Sequence, residues 1–194
     1  MGTLFIEIKG YNAIQSFVPD GPFFSESLPD FGFVQLRVRD VPVLPLADQA
    51  NILRAGTEIA TAGFPLGTSG LTFYEKVCQL TPFLRRGIIS SVLPFPCPQP
   101  HGFTIDIMSQ GGASGSPIFL LHEPIALGIL HAGFGNTNIT YAVPSNLVAQ
   151  GLKAALEADA PNLESVPTLS ELLANSDHSS KLTWDTIGIS SVKR

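Results

Sequence analysis

The chain has 194 residues, 44% of them hydrophobic and 14% charged, with a mean hydropathy of +0.26. That is the make-up of one packed globular domain or two small lobes sharing a core, and it excludes a chain disordered throughout. A net charge of -5 and a pI near 5.2 leave no broad basic field, which sets nucleic acids and anionic lipid surfaces aside as partners.

The N-terminus, Met-Gly-Thr-Leu-Phe-Ile-Glu-Ile-Lys, mixes charges into its apolar run. It reads as neither a secretory signal nor a membrane span, so a protein that starts at Met1 is expected in the cytoplasm. Leu4 to Ile8 reads as a half-buried strand, and an irregular Pro/Gly stretch follows to Pro29. Phe31 to Val38 is the next strand. Beyond Pro42 and Pro45, Thr57–Ala62 is a strand ended by the punctuation Gly63-Phe64-Pro65-Leu66-Gly67. Lys76–Leu80, Arg86–Leu93, Thr104–Met108, Ser116–Leu121, Ala126–His131 and Thr140–Val143 are short runs rich in β-branched or aromatic residues, separated by turn formers. Six such runs predict a closed antiparallel barrel in an all-β protein. After Pro144, Ser145 is placed to cap a helix with Leu147, Val148, Leu152, Ala155 and Leu156 on one face. Residues 160–194 read as a tail, in which Thr168-Leu169-Ser170-Glu171 fits a capping box opening a short helix. Cys78 and Cys97 are too few for a disulfide scaffold and lack metal-ligand spacing, which leaves a single bridge open.

The chemistry concentrates at Gly111-Gly112-Ala113-Ser114-Gly115-Ser116-Pro117. A nucleophilic serine on a sharp turn needs small neighbours, so that the backbone bends, the hydroxyl projects and peptide N–H groups converge. This stretch resembles the Gly-x-Ser-Gly-(Gly/Ser)-Pro motif of trypsin-like serine peptidases. Thr104-Ile-Asp-Ile-Met-Ser-Gln-Gly-Gly-Ala-Ser114 is similar to the approach to the serine in the HtrA/Deg and glutamyl-endopeptidase branches. Gly128-Ile129-Leu130-His131-Ala132-Gly133 and Tyr141-Ala142-Val143-Pro144-Ser145-Asn146 follow in the family's order. Upstream, Arg86-Gly87-Ile88-Ile89-Ser90-Ser91 resembles a Gly-Ile-Val-Ser strand of the second barrel. Gly56 to Gly67 resembles the end of the first barrel, and Asp30-Phe-Gly-Phe-Val-Gln-Leu-Arg-Val38 its Asp-Leu-Ala-Leu-Leu segment.

The resemblance, which spans residues 25–157, implies a trypsin-like double antiparallel β-barrel: a partial first barrel over 1–70, the second barrel with the nucleophile over 71–143, a C-terminal helix over 144–159 and the tail. It implies peptide-bond hydrolysis of a protein or peptide substrate through an acyl-enzyme on Ser114, without cofactor or metal. Asp30 would orient the base, or else simply terminate a loop before a strand. The N–H groups of Gly112 and Ser114 would form the oxyanion hole. Met108, Leu130, His131, Ala132 and Gly133 would line the substrate site. Met108 stands where basic specificity would need an acid, favouring an apolar or medium-sized primary pocket over a basic-specific one. His131 sits one position later than the pocket histidine of the glutamyl endopeptidases, so strand alternation leaves it either in the pocket or turned away.

The family's base should precede Asp30, yet the four histidines are His101, His122, His131 and His178. A serine hydroxyl without a base is a poor nucleophile, and loss of the histidine in a related enzyme costs about 10⁶ in rate. As it stands the chain is expected to be nearly inert. It is either a peptidase whose first strands and base lie upstream of Met1, or a non-catalytic relative that binds peptides by strand addition.

Overall fold

The computed structural model describes residues 8–13, 30–48, 53–65, 72–73, 76–77, 82–94, 100–135, 137–158 and 166–175. Ten strands and two helices run in the order β1 (Ile8–Ala13), β2 (Gly32–Leu36), β3 (Glu58–Gly63), β4 (Thr72–Phe73), β5 (Lys76–Val77), β6 (Phe83–Leu93), β7 (Gly102–Ile105), β8 (Pro117–Leu120), β9 (Ala126–Gly133), β10 (Thr140–Pro144), α1 (Ser145–Ala158) and α2 (Leu169–Asn175). The chain divides into two compact units, one of Tyr11–Val34 and Val43–Pro161, the other of Met1–Gly10, Gln35–Pro42 and Asn162–Arg194.

The larger unit holds a closed six-stranded antiparallel barrel, β10-β7-β6-β3-β8-β9. Closure leaves no strand of the ring with an unpaired edge along its whole length. Inward positions are filled by Ile59, Ile89, Phe103, Ile105, Ile118 and Leu127, none of which has any exposed surface. The barrel differs from the sequence expectation in one member. The sequence places Thr57–Ala62 with the first barrel and Lys76–Leu80 with the second, but β3 pairs with β6 on one side and β8 on the other, while β5 pairs with β4 in a separate two-stranded sheet. The physical reason is burial: Ile59, Ala60 and Thr61 are all covered, because β3 lies in the ring between two strands. The boundary at residue 70 therefore falls inside the polypeptide of the barrel. Of the expected first barrel, the described residues show β1 and β2 as a two-stranded sheet.

A second core cluster fixes the approach to β2. Phe31 packs with Val143, Leu147 and Val148, and with the partly buried Phe33, Leu46 and Ile129. The rings of Phe31 and Phe33 meet edge to face with centroids 5.8 Å apart, a favourable aromatic geometry. Helix α1 buries Leu147, Val148 and Gly151, whereas Leu156 is exposed, so the apolar face is shorter than its periodicity predicts. The Ser145 hydroxyl, expected as a cap, donates instead to the carbonyl of Ala47 at 2.9 Å, pinning the start of α1 to the segment before β3.

In the smaller unit the backbone of Arg39 brackets the start of α2. The Arg39 N–H donates to Pro167 O and the Leu169 N–H to Arg39 O, both at 3.0 Å. The capping box predicted there is complete: Thr168 N–H donates to Glu171 Oε2 at 2.7 Å, and Glu171 N–H to Thr168 Oγ1 at 3.2 Å. Cys78, Cys97, His178 and Trp184, and the strand expected at residues 4–7, lie outside the described residues.

Candidate active site

Ser114 sits on a tight turn between β7 and β8. Gly112 has φ of 93° and Gly115 φ of 83°, the left-handed region that glycine enters without the steric penalty of a Cβ. Ala113 N–H donates to Gln110 O at 3.0 Å and Ser116 N–H to Ala113 O at 3.1 Å, so two successive turns wrap around a buried Ala113 methyl. Two further bonds tie this turn to β9: Gly115 N–H to Leu130 O at 2.8 Å, and Leu130 N–H to Ser116 O at 2.9 Å. The result is an exposed serine whose hydroxyl donates to the carbonyl of His131 at 3.2 Å. Among the described residues no backbone carbonyl accepts from the N–H of Gly112 or Ser114.

Asp30, immediately before the buried Phe31, reaches the same neighbourhood. Its Oδ2 lies 3.6 Å from Nδ1 of His131, beyond hydrogen-bonding distance but within ion-pair range. The position of His131 follows from an irregularity in the ladder. On β10, Tyr141 faces Ala132 and the next residue, Ala142, faces Leu130. His131 is the extra residue between them, a β-bulge, which locally bends a strand and re-aims its side chain. The extra position is visible in the sequence; the direction of its side chain depends on this bulge. The imidazole is about a third exposed and the Asp30 carboxylate largely exposed.

The five residues expected to bind substrate separate in the structure. Met108 and Leu130 line a small cleft behind the serine turn, together with Thr61, Gly63, Arg85 and Ala113. Leu130 is a core residue, and Met108 is partly exposed, with its carbonyl accepting from the Arg85 guanidinium. His131, Ala132 and Gly133 are not part of that lining. Ala132 and Gly133 are exposed at the end of β9, where the backbone of Gly133 passes so close to Ser109 that a Cβ would overlap its hydroxyl. Arg85, Ser109 and Thr61 were missed by sequence reasoning. Their neighbourhood is created by β3 and β6 in the barrel, a pairing not visible in the sequence. Of the other histidines, His122 contacts Glu58 at 3.5 Å, and the backbone N–H of His101 donates to Leu93 O at 2.8 Å. No group of three or more His, Cys, Asp or Glu side chains among the described residues is placed to hold a metal. No helix among the described residues is long and apolar enough to cross a membrane.

A closed six-stranded barrel with a glycine-framed serine turn lashed to β9 defines a serine-peptidase fold. The chain belongs to the trypsin-like peptidase domain family, whose profile matches residues 13–129. No curated relative matches in sequence. Solved structures share the fold at low identity. VesB protease of Vibrio cholerae is 19% identical with a TM-score of 0.53, the match covering 76% of this chain and 44% of that one. An inactive form of a serine-to-alanine variant of Rv3671c from M. tuberculosis H37Rv is 17% identical with a TM-score of 0.51, covering 81% and 67%. A variant of human heparin binding protein is also 17% identical with a TM-score of 0.51, covering 81% and 68%.

Proposed function

We propose that this chain is a serine-type endopeptidase domain that cleaves peptide bonds through an acyl-enzyme on Ser114. The observation that carries the reading is the Ser114 turn: an exposed hydroxyl flanked by two left-handed glycines, with the N–H groups of Gly112 and Ser114 left without backbone acceptors among the described residues. Attack of Oγ on a scissile carbonyl would place the developing negative charge before these donors. Each donor is worth about 3 to 4 kcal/mol of barrier in enzymes of this chemistry. A substrate strand has a place to lie. Ala132 and Gly133 pair with β10, whereas the β8–β9 register ends at Pro117↔Ile129, so their other edge can accept an extended peptide by strand addition. Met108 in the cleft wall favours an apolar or medium-sized residue next to the cleaved bond.

The same edge supports a second reading, a non-catalytic relative that binds peptides or protein partners without turnover. Fluorophosphonate labelling of the purified chain separates the two. Labelling that vanishes in Ser114→Ala is expected for the peptidase. A folded, unlabelled chain that still binds extended peptides would establish the second reading in its place.

A further inference from the structure

We propose that the cleft behind the serine turn is a binding site for a small carboxylate, held by the Arg85 guanidinium and the Thr61 hydroxyl at the mouth of the barrel. The peptide edge offered by Ala132 and Gly133 is not part of its lining, and nothing in the inference requires Ser114 to be a nucleophile.

The site is built by the ladder between β3 and β6, inside the larger unit. Ile59 pairs with Gly87, Thr61 with Arg85 and Gly63 with Phe83, and residues two apart on a strand share a face. Ile59 belongs to the sealed core. Thr61 and Arg85 therefore face the same way as Ile59, one layer nearer the end of the barrel. Directly opposed residues of an antiparallel pair hold their Cβ atoms about 4.5 to 5.5 Å apart, which sets a hydroxyl beside a guanidinium. Glycine at position 63 keeps this layer open. Where a Cβ of residue 63 would stand, the Ser116 hydroxyl stands instead, and Ser116 lines the cleft as well.

Three properties set the chemistry of the ligand. The first is charge. Arg85 is half-buried and is the one charged residue among those lining the cleft. Its guanidinium donates to the Met108 carbonyl, which occupies one N–H of the fork and neutralises no charge. Asp106 is not in the lining, and its carboxylate accepts from the Ile88 N–H at 2.7 Å. The second is an unused hydrogen bond. Thr61 is 4% exposed, and its Oγ1 is covered and has no partner among the described residues. Buried polar atoms are nearly always paired, so this hydroxyl marks where a ligand atom would supply the partner. The third is space. The enclosed part has room for about one water-sized group and opens on one side, between the apolar Ile107, Leu130 and Phe83. A carboxylate presents two oxygens to a guanidinium fork, and as a monoanion it gives up less hydration than a phosphate or sulfate dianion on entering such surroundings. One oxygen takes the remaining N–H groups of Arg85, the other accepts from the Thr61 hydroxyl, and a short apolar tail lies towards Phe83.

The test titrates the isotope-labelled chain with acetate, propionate and, as a neutral match in shape, acetamide, at fixed pH and ionic strength, and follows backbone amide chemical shifts. Arg85→Gln and Thr61→Val are titrated alongside, each checked for folding by thermal melting. The expected result is saturable shifts with the carboxylates, centred on residues 61–63, 85 and 107–109, and none with acetamide. Affinity should fall about tenfold or more in Arg85→Gln, as loss of a charge-assisted hydrogen bond requires. Thr61→Val keeps the shape and removes the unpaired hydroxyl, so it should melt no lower than the parent while binding more weakly. A tripeptide with a free C-terminal carboxylate and its C-terminal amide separate the two sources of the group. Tighter binding of the free acid than of propionate, lost on amidation, assigns a chain end as the ligand; binding no tighter than propionate assigns a free small acid. Equal shifts with acetamide, unchanged carboxylate affinity in folded Arg85→Gln, or no saturable shift in the wild-type chain would each overturn the site and leave the reading of Ser114 standing. A chain that binds carboxylate but is not labelled at Ser114 would overturn that reading and leave the site standing.

Discussion

At the scale of single residues, Gly128 is tightly constrained in the barrel wall. A Cβ there would overlap the carbonyl oxygen of Val143 on β10 and press on the ring of Phe103, and neither can retreat, since Phe103 has no exposed surface. Gly128→Ala is expected to cost about 1 to 3 kcal/mol or more, as insertions into packed interiors do, read as a lower denaturation midpoint with an unchanged slope. Ser114→Ala should behave oppositely. Its hydroxyl is exposed and makes one long bond, so the melting temperature should hardly move while labelling disappears. Ser114 was legible from its flanking glycines, because a left-handed turn leaves a local signature. The Asp30–His131 approach was not legible, because it depends on a strand register and a bulge 100 residues downstream, and nothing local encodes either.

At the scale of elements, α2 offers a prediction in pH. The Thr168 backbone N–H and hydroxyl, with the nearby positive charge of Arg39, hold the Glu171 carboxyl below its ordinary value of 4.5. A carboxyl whose pKa is lower when folded stabilises the folded form above the ordinary value, and that contribution is lost as pH falls through the lowered one. Amide exchange in α2, corrected for its intrinsic pH dependence, should therefore accelerate below about pH 4.5. Thr168→Ala should accelerate it at neutral pH as well, leaving exchange in β6 and β9 unchanged. A uniform response across both units would show that the box acts on global stability. Glu58 follows the same sign: the Arg86 guanidinium first, and His122 after it, hold its carboxyl down. Both ends of the capping box were readable in the sequence because its partners lie three positions apart. The membership of β3 in the barrel was not. Its neighbours β6 and β8 are far along the chain, and its buried run carries no mark of which ring it joins.

At the scale of the molecule, the barrel is one cooperative core in which Phe103 pairs with Val92 and Ala142 through neighbouring strands and touches the backbone of β9. Phe103→Ala is expected to cost about 3 to 5 kcal/mol. That is a large part of the 5 to 15 kcal/mol typical of a whole domain, so the variant should be substantially unfolded near body temperature. Retention of a sharp, wild-type melting transition would show that the core closes over the void.

The bulge in β9 interrupts an otherwise regular ladder. Excising His131 would bring the Tyr141↔Ala132 and Ala142↔Leu130 pairs into direct succession, turning an interrupted ladder into a regular one. The shortened chain is expected to melt no lower than its parent, and that outcome would mark residue 131 as a site of local frustration in the ladder.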